Sequence, residues 1–162
     1  MKKIFLLLFV FSLLGCEKDD ICAEDTTSKL VIEFYNNDDR TELRSVSNMK
    51  VIADGETDSL IVFTGNKLSI PLRITADQTK YKFTINSTDT TFANEDLIEI
   101  NYTREDVYVS RACGYKTVFE LASTNPFVAS DAVSVANQWI KDIDIETTTI
   151  DNENEVHVKI YF

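Results

Sequence analysis

A period of two residues governs this chain. Lys80-Tyr81-Lys82-Phe83-Thr84-Ile85 sets Tyr81, Phe83 and Ile85 on one side, and Leu97-Ile98-Glu99-Ile100-Asn101-Tyr102 does the same with Ile98, Ile100 and Tyr102. Successive side chains of an extended strand point to opposite faces, so this alternation marks strands with one buried face. Leu30 to Tyr35 is β-branched and aromatic and stops at the turn cluster Asn36-Asn37-Asp38-Asp39. Met49 to Ala53 runs into Asp54-Gly55, a hairpin signal, and Ser59 to Phe63 returns. Leu68 to Leu72 alternates too, but Pro71 cannot donate to a ladder, so this strand belongs at an edge or ends early. Val107 to Val109 and Tyr115 to Leu121 continue the series, and Trp139 to Ile145 is mixed in period. The chain closes on Val156 to Phe162, with Val156, Val158, Ile160 and Phe162 expected inward and His157, Lys159 and Tyr161 outward, which makes the C-terminus structural. Asp131 to Gln138 is the only helical candidate, with Asp131 as its cap. About nine short strands punctuated by turns predict an all-β fold, an antiparallel β-sandwich of immunoglobulin-like type.

The N-terminus follows different rules. Lys2-Lys3 precedes an apolar stretch over residues 4–14, then Leu13-Leu14-Gly15-Cys16. The stretch is too short for a bilayer span, which takes about 20 residues, and has the basic head and apolar core of a secretory signal. It resembles a bacterial lipoprotein signal whose four-residue lipobox is Leu13 to Cys16. That resemblance implies cleavage before Cys16 and acylation of its sulfur and freed amine. Several acyl chains, each methylene contributing about 0.8 kcal/mol, would hold the chain firmly on a membrane. Glu17-Lys18-Asp19-Asp20 is similar to the charged export tag of Bacteroidota lipoproteins, although Glu17 beside the cysteine departs from its commonest form. The tag implies an outer-membrane anchor facing the cell surface, with a periplasm-facing anchor as the alternative. The expected organisation is a signal peptide over residues 1–15, a lipidated linker over 16–27 and one β-sandwich domain over 28–162.

Cleavage removes Lys2 and Lys3 and leaves 14 basic against 27 acidic residues, a formal charge of −13. Such a field repels nucleic acid and argues against it as a partner. The mature length suits a single domain with one core. Lipidation of Cys16 leaves Cys22 and Cys113 as an even pair in a disulfide-permissive compartment, and a bond between them is expected. Only six residue steps separate Cys16 from Cys22, a reach of about 20 Å at full extension. A bond from Cys22 into the core would lay the domain on the lipid surface.

Chemistry is sparse. The single histidine, His157, sits in the last strand, and one histidine builds neither a usual zinc site nor, on an outward strand face, a triad. H-E-x-x-H, C-x-x-C and glycine-rich phosphate loops are missing from the sequence. The acidic pairs Asp19-Asp20, Asp38-Asp39 and Glu153-Asn154-Glu155 fall in predicted turns, and none has the spacing and glycine of a calcium loop. No catalytic, metal-binding or cofactor residue is therefore expected. The densest unusual cluster is Arg111-Ala112-Cys113-Gly114-Tyr115. Gly114 allows a positive backbone angle that would aim Cys113 toward Cys22, with Arg111 paired to nearby acids. The functional alternative is a ligand or partner patch made by Arg111 and Tyr115.

The lipobox, Cys22 soon after it, Ser110-Arg111-Ala112-Cys113-Gly114-Tyr115-Lys116 and the closing Asn152-Glu153 through Phe162 together resemble an uncharacterised family of Bacteroidota, especially flavobacterial, lipoproteins. The family's function is unknown, so the resemblance implies no substrate. The expected role is a non-enzymatic binding or interaction module, monomeric, held to the membrane through Cys16, with a protein or glycan partner. Two alternatives stand beside it: a surface glycan hydrolase using paired carboxylates, and a purely structural envelope lipoprotein.

Overall fold

A computed structural model describes Cys22, residues 26–131 and residues 138–162. Among the described residues, eleven strands, two more than expected, form two sheets: β1 (Leu30–Tyr35), β2 (Val46–Ala53), β3 (Ile61–Gly65), β4 (Lys67–Ile70), β5 (Gln78–Ile85), β6 (Asn94–Ser110), β7 (Gly114–Leu121), β8 (Phe127–Asp131), β9 (Asp142–Ile145), β10 (Thr149–Ile150) and β11 (Val158–Tyr161). The described residues contain no helix. The helical candidate over 131–138 begins on the last residue of β8, and 132–137 lie outside the described residues.

The smaller sheet runs β4-β1-β11-β9, and the larger runs β10-β7-β6-β5-β2-β3 with β8 also on β6. β4 lies at an edge, where Pro71 ends it at no cost to an interior ladder. The fold is a sandwich of mostly antiparallel strands with one parallel pair: β1 lies parallel to β11, Phe34 opposite Ile160. Its first and last strands thus sit side by side at the middle of one sheet. The core forms where the alternating faces meet. Leu30, Ile32, Phe34, Ile70, Val158 and Ile160 of one sheet pack with Val51, Phe83, Ile98, Ile100 and Phe119 of the other. Trp139 closes one side, its indole N–H donating to the Phe83 carbonyl at 3.1 Å and its ring edge-on to Phe162.

The C-terminus is built in. Phe162 N–H donates to Tyr35 O at 3.1 Å, Arg44 donates to Phe162 O at 2.6 Å, and the same guanidinium lies over the Phe162 ring. On the outward side of the smaller sheet, Tyr35 and Tyr161 pack 5.8 Å apart, and Arg40 covers Tyr161 while pairing with Asp142 at 2.6 Å. Tyr161 was expected in solvent; the loop carrying Arg40 buries it.

β6 decides the molecule's shape. Asp96, Ile98, Ile100 and Tyr102 are buried on alternate positions, after which Thr103 through Tyr108 are exposed on both faces. β5 pairs with β6 only as far as Asn101, whereas β7 pairs with it from Tyr102 to Ser110. β10 flanks β7 at Phe119 and Glu120, and Phe119 and Thr117 are buried, so β6 and β7 run on alone as a two-stranded ribbon only from Val107 to Ser110, roughly 10 Å at ordinary strand rise.

Candidate functional site

The end of this ribbon gathers the residues singled out above. Ser110 and Gly114 pair across the turn Arg111–Cys113, which the positive φ of Gly114, +70°, allows to close. Cys113 N–H donates to the Ser110 hydroxyl at 3.1 Å, fixing the turn. Cys113 is bonded to Cys22, with Cα atoms 4.8 Å apart. Further along β7, Thr117 N–H donates to Thr27 Oγ1 at 3.0 Å. Cys22 is thus bonded at the turn of the ribbon and not into the core.

Tyr115 is 69% exposed and packs edge-on against Tyr108, itself 54% exposed, with ring centroids 5.4 Å apart. The two face each other directly in the β6–β7 register. Arg111 lies in the exposed turn and, among the described residues, makes no ion pair; the expected partnership with nearby acids is not formed. The exposed aromatic patch is therefore Tyr115 with Tyr108, and Arg111 lies in the adjoining turn. A hollow of about 260 Å³ beside it is lined by Cys22, Thr26, Thr27, Val109, Tyr115 and Lys116, among others. Tyr108 was legible in principle: once Arg111–Cys113 is read as a turn, position 108 falls opposite 115.

Two of the buried polar side chains, His157 and Asp96, bear on the chemistry. His157 is fully buried, contrary to the outward, solvated position expected for it. Its Nδ1 accepts the Val31 N–H at 2.9 Å, and the His157 backbone N–H donates to Val31 O at 3.0 Å. It lies one residue before β11, where its ring and backbone both engage Val31 of β1. Burial pushes its pKa down, against the opposing pull of Glu155 and Asp151. The ring is a neutral structural acceptor, far in role from a catalytic base.

Asp96 is the other, and alternation could have shown it: it lies in phase with Ile98 and Ile100, on the inward row. It is fully buried, accepts the Ile140 N–H at 2.8 Å, and faces Asp131 directly across the β6–β8 ladder. Burial raises its pKa, the backbone N–H groups of Ile140 and Trp139 oppose that, and the charge of Asp131 adds to it. The acidic turns behave as solvated turns: the Asp39 carboxylate accepts the N–H and hydroxyl of Thr41 at 3.1 and 2.6 Å. Among the described residues, no group of three or more histidine, cysteine or acidic side chains is arranged to hold a metal ion.

The larger sheet leaves its outer face to solvent. Leu60, Val62 and Val128 are exposed there, and Lys50 and Lys82 stand among them without an ion pair among the described residues. Lys80, by contrast, pairs with Glu99 at 2.8 Å.

Fold and site define a two-sheet β-sandwich carrying a projecting, disulfide-pinned ribbon. Residues 48–162 match a family described as a family of unknown function, DUF6452, and the chain belongs to that family. No curated protein and no solved structure matches it.

Proposed function

We propose that this protein is an outer-membrane lipoprotein, anchored through acylated Cys16, that works as a non-enzymatic binding or interaction module facing the cell surface. The observation that carries the reading is the Cys22–Cys113 bond at the end of the ribbon. An anchor six residues before Cys22 would lie within about 20 Å of that end, leaving the broad outer face of the larger sheet open. That face, with Leu60, Val62 and Val128 exposed around Lys50 and Lys82, is the surface offered to a protein or glycan partner. The hydrolase alternative needs two carboxylates at an open cleft. The acid pair directly opposed across strands, Asp96 and Asp131, has Asp96 sealed in the core, which favours the non-enzymatic reading.

Mass spectrometry of the protein extracted from membranes tests the anchor, with an acylated N-terminal Cys16 expected and an unmodified N-terminus overturning it. Protease shaving of intact cells tests the face: digestion supports surface display, and protection until the outer membrane is opened assigns the periplasmic side. Crosslinking with affinity capture, repeated with Lys82→Glu, tests the binding role. One partner lost in the variant supports it; turnover of a surface polysaccharide by the purified protein, abolished by Asp131→Asn, overturns it.

A further inference from the structure

The ribbon end carries a combination that a merely solvated turn does not need. Tyr108 and Tyr115 expose an aromatic pair to solvent, and Val107 beside them is also exposed. Tyrosines with an apolar ring and a polar hydroxyl are favoured at the boundary between lipid headgroups and acyl chains. The charge pattern changes at the same place. In a chain of formal charge −11 before cleavage, Val107 to Phe119 holds no acidic residue and two basic ones, Arg111 and Lys116. Lys116 turns to the Asp151 carbonyl at 3.3 Å, which leaves Arg111 as the outward cation of the turn. The third observation is covalent: Cys22, through which the 21-residue N-terminal lead joins the domain, is bonded at this end and nowhere nearer the core.

We propose that the end of the β6–β7 ribbon is a lipid-contacting foot, with Tyr108 and Tyr115 lodged among the phospholipid headgroups of the membrane that holds Cys16 and Arg111 reaching their phosphates. This rests on the anchor reading above and adds to it a direct protein–lipid contact that fixes orientation. An anchor with about 20 Å of free chain would by itself let the domain tumble. A foot beside the anchor makes the attachment bivalent: with the first contact made, the second is intramolecular and needs little affinity of its own. Guanidinium suits the phosphate oxygens because its fork matches them bidentately. The sandwich then stands off the lipid along the ribbon.

The test uses the full lipidated protein reconstituted in vesicles of phosphatidylethanolamine with a minority of phosphatidylglycerol, some lipids brominated high on the acyl chain. Trp139 is the sole native tryptophan and is buried, so it supplies a constant background. Tyr115→Trp places a reporter on the foot, and Val62→Trp places one in the row of Lys50, Thr84 and Glu95, at the opposite end of β6. The foot is supported when roughly half of the Tyr115→Trp emission is quenched while Val62→Trp is unaffected, and when adding Arg111→Glu lowers that quenching several-fold. Acylated protein in which Tyr115→Trp escapes quenching overturns the foot and leaves the anchor standing. Equal quenching at both positions means the body lies flat and also overturns it. Shielding of Tyr115→Trp that appears only with dimer formation in detergent gives the ribbon to a second copy and overturns it as well. An N-terminus without acyl mass removes the anchor reading and the foot together.

Discussion

Acidification from pH 7.5 to 5.5 should weaken the fold through His157, and replacing this residue with glutamine should remove that sensitivity. In the folded state the ring is fully buried, with Nδ1 occupied as the acceptor of the Val31 N–H. A second proton would put an N–H against an N–H and charge a desolvated ring, which is why the folded pKa lies below the ordinary 6.5. The unfolded chain takes up the proton first. Stability is therefore fully present above about pH 6.5 and is lost as the pH falls below it, by about 1.4 kcal/mol per unit until the folded ring itself titrates. Between pH 7.5 and 5.5 this amounts to about 1 kcal/mol, which at a urea slope near 2 kcal/mol/M moves the midpoint by about 0.5 M. Asp96 works in the opposite sense. Its folded pKa is raised, so its contribution is greatest at low pH and is lost as the pH rises through that folded value. Urea titrations at both pH values, on wild type and His157→Gln, separate the two. Wild type should lose stability on acidification. The variant should start lower, by about 1–3 kcal/mol for disturbing the acceptor of a buried N–H, and then hold steady or gain. An equal acid-induced fall in both proteins would refute the assignment of the effect to His157.

Cys113→Ser should lower stability by about 2–4 kcal/mol in urea under non-reducing conditions, the long closed loop setting the scale, and reductant should make wild type match it. Asp96→Asn keeps an acceptor for the Ile140 N–H while removing a desolvated charge opposite Asp131; it should stabilise the fold by about 1 kcal/mol at pH 7.5, with the gain gone at pH 4 by thermal melts. Phe162→Ala removes the ring packed against Phe34, Trp139 and the Arg44 guanidinium, and should cost about 2–3 kcal/mol by urea titration.

Alternation made most strands readable because one face of each is buried and the other wet. It failed where that contrast is missing. β8 and β10 are short and carried by pairing to β6 and β7, with little pattern of their own. Val107 to Val109 reads as a separate strand, yet it is the far part of β6, since Thr103 to Asp106 stay extended through pairing with β7 while no face of theirs is buried. Alternation places His157 and Tyr161 outward, yet both are buried: His157 lies one residue before β11 and engages Val31 of β1, and the Arg40 guanidinium covers Tyr161. A period of two assigns a side to each residue; long-range packing decides whether that side is wet. The ribbon end was legible as a cluster from Arg111 to Tyr115, but its distance from the core is set by where β5 stops pairing with β6 and β10 with β7, which no local pattern records.

That distance bears on how so acidic a body could stand near a membrane. Removal of residues 1–15 leaves a formal charge of −13, and anionic headgroups would repel it at contact. At physiological salt, charge interactions fade over about 8 Å. The free ribbon extends roughly 10 Å from Val107 to the turn, about one such length, and carries no acid. In the proposed arrangement the repulsion between body and lipid is therefore reduced, while Arg111 and Lys116 at the ribbon end offset the Glu17, Asp19 and Asp20 that the linker brings to the same headgroups. Shortening the ribbon would bring the acids of the sandwich inside the screening length. In that arrangement the length of β6 past the core is an electrostatic requirement as much as a structural one, and the exposed outer sheet would face away from the lipid, toward a partner.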